Sequence, residues 1–206
     1  MAGTLADRVG ILGGTFDPPH IGHAIIARDL VEALDLDTLL VIPAARPPHR
    51  DAVMAPDVRL DLVRRAFAGE PRIEVCDVEY RREGPSYTID TLEWLAAERP
   101  ESKLFLVIGA DQLAELDTWR DPERIAGFAE LIVMRRAGEE PRAPDGMDPI
   151  EYITVDVTRI DVSASRIRER LRCGQSIRFF VPEAIRAEIE RAWLSEARPE
   201  PVSTRC

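Results

Sequence analysis

Six short apolar runs punctuate the chain, at Val9 to Leu12, Leu39 to Ile42, Ile73 to Val78, Leu104 to Ile108, Leu131 to Met134 and Tyr152 to Val155. Most are continuous blocks of Val, Ile and Leu, the signature of strands covered on both faces. Between most of them lie segments in which apolar residues recur at helical spacing. Strands that alternate with helices need crossover connections, so the pattern predicts an α/β fold: a Rossmann-like, doubly wound, mainly parallel sheet with helices on both faces and a C-terminal helical portion.

Several helix ends can be read directly. Pro56-Asp57 precedes Val58 to Phe67 and Gly69 follows it, a start and a stop; Asp121-Pro122 opens a shorter helix in the same way. Ser163 introduces a helix over Ala164 to Cys173 that Gly174 closes, and a last helix follows Pro182 with Ile185, Ile189 and Trp193 on one stripe. Trp94 and Trp193 read as core or interface residues. Pro43 to Pro56 and Ala137 to Pro149 are rich in proline, glycine and charge, and both read as loops, the first beside a functional site and the second a surface connection. Without a linker long enough to separate two units, residues 1–206 read as one domain, with about 196–206 a flexible tail.

Composition narrows the choice of partners. A formal net charge of -10 disfavours non-specific affinity for nucleic acid or an anionic membrane, so any anion site has to be local. No apolar run approaches the ~18 residues of a membrane span. The N-terminus MAGTLADRVG lacks the basic and apolar regions of a secretory signal, and the expectation is a cytoplasmic protein. Cys76, Cys173 and Cys206 are scattered and lack CxxC spacing, which indicates neither a disulfide framework nor a zinc site. Oligomeric state is left open.

Against that background the run GGTFDPPHIGH, Gly13 to His23, stands out, because it holds two of the three histidines of the chain. It follows the first strand and leads into a helix, the turn at which α/β sheets bind ligands. Glycines let the backbone approach a phosphate, and a helix start aims free N–H groups at it. With Pro18 or Pro19 opening the helix, His20 and His23 share one helical face and Gly22 keeps that face open. Neither a Walker loop nor GxGxxG is present. The run resembles the HxGH signature of the nucleotidyltransferase superfamily, in the fuller GGTFDPxHxGH form of the bacterial nicotinate-mononucleotide adenylyltransferases.

Other segments resemble the same family. Val162-Ser163-Ala164-Ser165-Arg166-Ile167-Arg168 resembles its ISxTxxR run, Gly84 to Leu92 its GxSYTIDTL run, Ile108-Gly109-Ala110-Asp111 its GxD segment, and Pro43 to Arg50 its PxxxPPHK loop, with Arg50 in place of lysine. Trp119 in LDTWRDPERI matches the tryptophan that contacts the pyridine ring, and Phe180-Val181-Pro182 resembles the VPxxV ending. The resemblance implies transfer of AMP from ATP to nicotinate mononucleotide, with Mg2+ carried by ATP and no protein metal cage. It implies that His20, His23 and Arg168 are catalytic, and that Gly13, Gly14, Thr15, Phe16, Arg50, Asp111, Ser163 and Ser165 bind ATP with them. Ser86, Tyr87, Thr88 and Trp119 are then expected around the pyridine nucleotide. A sibling transferase using nicotinamide mononucleotide or another phosphorylated acceptor, and a nucleotide sensor without turnover, are the alternatives. His49 reads equally well as a solvated loop residue.

Overall fold

The computed structural model describes residues 6–48, 51–135, 140–144 and 150–196. Its six strands are β1 (Arg8–Gly14), β2 (Thr38–Pro43), β3 (Ile73–Val75), β4 (Lys103–Gly109), β5 (Glu130–Arg135) and β6 (Tyr152–Asp156). They form one sheet in the order β3-β2-β1-β4-β5-β6, with every neighbouring pair parallel. The expected doubly wound parallel sheet is therefore present. The chain runs outward from β1 to β3 and then returns to pair β4 on the other side of β1, so the strand order reverses between β1 and β4. In such sheets the crevice beyond the carboxyl ends of those two strands is the ligand site.

The helices are α1 (Ile21–Ala33), α2 (Pro56–Ala66), α3 (Thr88–Glu98), α4 (Ala110–Ala114), α5 (Ala164–Arg172) and α6 (Glu183–Glu196). Successive strand residues point to opposite faces, and the core divides accordingly. Leu40 and Ile42 join Ile11, Leu106 and Ile108 under Ile89, Leu92 and Leu95 of α3. Leu39 and Val41 join Phe105, Val107 and Ile132 under Ala27, Leu30 and Val31 of α1. A third cluster unites Leu62 of α2, Ile167 of α5 and Ile185 and Ile189 of α6 with Met54, Ile177 and Val181. That last cluster fastens the C-terminal helices to α2, and at the start of α1 Ile21 N–H donates to the Phe180 carbonyl at 3.0 Å.

Three local expectations need correction. The strand read over Ile73 to Val78 stops at Val75, and Val78–Arg81 forms a 3-10 turn. In the β2–β3 ladder Leu39 N–H donates to Arg72 and Cys76 N–H donates to Val41. The next donor on β2 would be residue 43, a proline with no N–H, so the ladder ends there. The segment after Asp121 is likewise a 3-10 helix, Pro122–Gly127, rather than a turn of α-helix. Finally, α1 begins at Ile21 instead of at the prolines, and His20 is its extended N-cap with φ -143° and ψ 171°. A residue that precedes proline is pushed out of the helical region, which bars Asp17 and Pro18 from opening a helix.

Among the described residues no helix is long and apolar enough to cross a membrane. His49 and Arg50, most of the 137–149 connection and the tail beyond Glu196 lie outside the described residues.

Candidate active site

The turn after β1 is built under backbone constraint. Phe16 takes φ +48°, a left-handed conformation that a side chain bearing Cβ rarely adopts and that costs on the order of 1–3 kcal/mol. The surroundings hold it: the Phe16 ring is buried and meets the His23 ring edge-on, 4.8 Å between centroids. A Cβ added to Gly13 would enter open space, so the absence of a side chain there leaves the backbone bare to the crevice. Gly22 serves the neighbouring ring, since a Cβ there would stand 3.1 Å from His20 Nδ1.

His20 and His23 stack with centroids 3.6 Å apart and planes 20° from parallel. The His20 backbone N–H donates to His23 Nδ1 at 3.1 Å. That bond makes Nδ1 the acceptor of a neutral imidazole, so the His23 proton resides on Nε2. His20 Nδ1 is buried without a hydrogen-bond partner among the described residues. Burial lowers the His20 pKa from 6.5 to about 4. Burial, and secondarily the like charge of His20, hold His23 well below its usual value.

These shifts bear on stability. Between about pH 4 and 6.5 the unfolded chain binds protons on these imidazoles that the folded chain refuses, so their contribution to stability is lost as the solution is acidified through that window. Thermal unfolding of wild type from pH 7 down to 4.5 is expected to fall more steeply than that of His20→Asn. Parallel curves would contradict neutral burial of His20.

Arg168, on α5, reaches back to the same turn. Its Nη1 donates to the Asp17 carbonyl and lies 3.5 Å from Asp17 Oδ2. Asp17 is buried, and its two carboxylate oxygens accept from Val53 N–H at 2.8 Å and Met54 N–H at 3.0 Å. Ser163 caps α5 through Arg166 N–H at 3.3 Å and shares a 3.1 Å hydroxyl contact with Ser165. Asp111, early in α4, stands over Gly109, whose missing Cβ would meet its carboxylate at 2.4 Å.

A second wall comes from the chain ahead of α3. Ser86 and Arg46 exchange two hydrogen bonds, Ser86 N–H to the Arg46 carbonyl at 2.9 Å and Arg46 N–H to the Ser86 hydroxyl at 3.1 Å. Tyr87 is the extended residue before Thr88, the first residue of α3; the first N–H groups of that helix lack intrahelical acceptors, and Tyr87 and Thr88 both line the crevice. Behind them Thr91 donates to Glu79 at 2.9 Å and accepts from Arg82 at 2.6 Å. Burial raises the Glu79 pKa, with Ser86 and Thr91 opposing the rise.

One cleft of about 490 Å3 gathers these parts. Gly13, Gly14, Thr15, Phe16, His20 and His23 line it from the β1 turn, Asp111 from α4, and Ser163, Ser165 and Arg168 from α5. Ser86, Tyr87, Thr88 and Trp119 complete the wall. Every site residue named from the sequence that the structure describes is therefore on one surface; Arg50 lies outside the described residues.

Sequence reading passed over three residues that shape this cleft. Asp17 sits inside the opening motif, where the sequence alone gives it no role. Arg59 is fully buried; its guanidinium donates to the carbonyls of Thr15 at 2.8 Å, Ala44 at 2.6 Å, Ala45 at 3.0 Å and Met54 at 3.1 Å. The signal for it was positional, because residue 59 shares the helical stripe of Leu62 and Val63. Arg120, next to Trp119, also lines the cleft.

A sheet that reverses its strand order at a glycine turn, with paired imidazoles and a guanidinium at that point, defines an α/β nucleotidyltransferase of the HxGH type. Known proteins agree on the class. Residues 11–170 match the cytidylyltransferase-like family. The chain is 42% identical over 207 residues to a probable nicotinate-nucleotide adenylyltransferase of Pseudomonas syringae pv. tomato, an alignment covering 91% of this chain and 93% of the relative. It is 38% identical over 184 residues to a protein of the same name from Thermus thermophilus, covering 89% and 97%. In three dimensions it resembles the Plasmodium falciparum nicotinic acid mononucleotide adenylyltransferase complexed with NaAD, with TM-score 0.70 at 15% identity and 92% and 95% of the two chains covered. At that identity the likeness speaks for the fold. The chain belongs to the cytidylyltransferase-like family and, within it, to the nicotinate-nucleotide adenylyltransferases.

Proposed function

We infer that the protein transfers AMP from ATP to nicotinate mononucleotide, producing nicotinate adenine dinucleotide and pyrophosphate for NAD biosynthesis. The observation that supports it most is the convergence on one cleft of the histidine turn, the α5 start and the Ser86–Thr88 loop with Trp119. A donor and an acceptor nucleotide have to meet end to end, and the cleft has a wall suited to each.

The acceptor phosphate is already an anion at neutral pH, so the attack needs alignment rather than a general base. Its oxygen forms a bond to the α-phosphorus of ATP while the bond from that phosphorus to the β-phosphate oxygen breaks, and the electron pair leaves with pyrophosphate. Negative charge builds on the α-phosphoryl oxygens and the leaving group, and donors fixed in advance lower its energy most. His20 offers an unpartnered ring nitrogen, and a triphosphate beside it would raise its depressed pKa. His23 presents Nε2–H, because its Nδ1 is occupied. Arg168 supplies a planar cation held in place by Asp17. Gly13, Gly14, Thr15, Phe16, Asp111, Ser163 and Ser165 surround the nucleotide, and Ser86, Tyr87, Thr88 and Trp119 the pyridine ring.

Among the described residues no group of three or more His, Cys, Asp or Glu is placed to hold a metal, and the Asp17 carboxylate is spent on two N–H groups and Arg168. That donor set fits Mg2+ that arrives on the ATP phosphates and keeps its waters, and Asp111 adds a carboxylate to the wall proposed for the nucleotide. Carried on the ATP phosphates, Mg2+ would supply charge neutralisation for the leaving pyrophosphate.

Pyrophosphate release from ATP and Mg2+ should appear with nicotinate mononucleotide and be weaker with nicotinamide mononucleotide. Silence with both, from folded protein that binds ATP, would leave a sensor. Trp119→Ala should raise KM for the pyridine nucleotide by about tenfold, the loss of one stacked ring, and change KM for ATP less. Equal changes in both constants would remove Trp119 from the pyridine wall.

A further inference from the structure

Resting on the activity just inferred, we propose that Asp17 is a positioning residue for the transfer: it anchors the Arg168 guanidinium beside the phosphates, while the N–H groups of Val53 and Met54 keep it from capturing that guanidinium outright. A carboxylate in a cleft for phosphates repels the substrate and costs free energy to bury. Asp17 is nevertheless only 4% exposed and lines the cleft together with His20 and His23. Its charge has to serve something beside it, and the cation beside it is Arg168.

Each carboxylate oxygen already has a backbone donor, Oδ2 from Val53 N–H at 2.8 Å and Oδ1 from Met54 N–H at 3.0 Å. Arg168 reaches the same residue by another route. Its Nη1 donates to the Asp17 main-chain carbonyl and stands 3.5 Å from Oδ2, an ion pair longer than the ~2.7–2.9 Å of a charge-assisted hydrogen bond. A carboxylate without other partners closes on a guanidinium through two parallel bonds and uses up its fork. Here the Val53 and Met54 N–H groups hold the carboxylate instead.

The arginine is therefore anchored without being consumed. Both contacts with Asp17 run through Nη1, which leaves the donors of Nη2 and Nε for an anion in the cleft that Arg168 lines. About a quarter of its side chain is exposed. A long side chain loses rotamer freedom when it is fixed, and a tie made in the resting protein meets that cost before the nucleotide binds. The tie also joins α5 to the opening turn, so that the guanidinium and the stacked imidazoles share one cleft. Charge developing on a phosphoryl group is stabilised most by donors set in place in this way.

The test is a double-mutant cycle on kcat, read by pyrophosphate release from ATP, Mg2+ and nicotinate mononucleotide, in the full-length wild type, Asp17→Asn, Arg168→Met and the double variant. Asparagine keeps the shape and one acceptor oxygen and removes the charge. Asp17→Asn should lower kcat by about tenfold or more with a smaller change in KM for ATP. Once Arg168 is methionine the same substitution should cost less than about twofold, because a residue that acts through another has nothing left to position. A tether that only braced Val53 and Met54 would cost the same factor in both backgrounds. Equal factors, or near-normal kcat in Asp17→Asn, overturn the role of Asp17 and leave the adenylyl transfer standing; a wild type silent with this acceptor overturns the transfer itself. Where a variant fails to fold or to turn over, the wild type decides: its crystal structure with α,β-methylene ATP should show Arg168 Nη1 still on the Asp17 carbonyl and another guanidinium nitrogen on a phosphate. An Arg168 that has left Asp17 to reach the phosphates overturns the proposal.

Discussion

Replacing His20 with alanine lowers kcat by about a hundredfold or more while the protein stays folded, the loss expected when one preorganised donor to a developing phosphoryl charge is removed. Two features of the site make the kinetic loss large and the structural loss small. His20 is buried, yet its Nδ1 finds no partner among the described residues, so the group is costly to the resting protein and its removal leaves no protein donor or acceptor stranded. The main-chain bonds of the N-cap survive, since His23 N–H donates to the His20 carbonyl at 2.9 Å and His20 N–H donates to His23. The signature of a donor that acts on the transition state is a parallel fall in kcat and kcat/KM. His20→Asn, which restores a donor, should recover part of the rate. Near-normal turnover by folded His20→Ala would remove His20 from the reaction.

Arg59→Ala is expected to be the most damaging substitution for stability, costing about 3–5 kcal/mol, because four carbonyls lose their donor together. Those carbonyls belong to Thr15 in the opening turn and to Ala44, Ala45 and Met54 in the following loop. A loss of that size is a large share of the ~5–15 kcal/mol that keeps a domain folded. The same arginine joins the opening turn, which the proposed function sets beside ATP, to the following loop, so KM for ATP should rise even where the variant remains folded. Arg59→Lys separates the two effects, since a lysine has three donors on one atom and cannot span the four oxygens. Denaturant unfolding and ATP saturation curves check both. A midpoint within about 1 kcal/mol of wild type would mean that water satisfies the carbonyls and that the arginine is not the tie between the segments.

Much of this molecule was legible in one dimension, for reasons that differ from element to element. β1, β2, β4 and β5 are read to within two residues because strands covered on both faces must be continuously apolar. α5 is read from Ser163, whose hydroxyl does accept the Arg166 N–H. β3 was overextended because the residue that ends it, Pro43, belongs to a different strand. The start of α1 was misplaced for a related reason: proline marks a helix start in general, but two in succession also bar the residues before them. His20 therefore caps the helix, and the pairing of the imidazoles comes from stacking across the cap rather than from a shared helical face.

Alternation of apolar blocks with helical segments determined the doubly wound class, because burial on both faces leaves few other arrangements for a chain of this pattern. The motifs pointed to the chemistry through their resemblance to a family, with glycines, a helix start and a guanidinium suited to phosphates beside it. Tertiary structure alone decided how those parts work. Burial sets the histidines neutral at rest; Asp17 joins Arg168 to the opening turn across 151 residues of sequence; and Arg59, a surface residue by composition, becomes the buried tie beneath the cleft. Each of these depends on which distant segments meet and how completely they exclude water, and a pattern along the chain carries neither quantity.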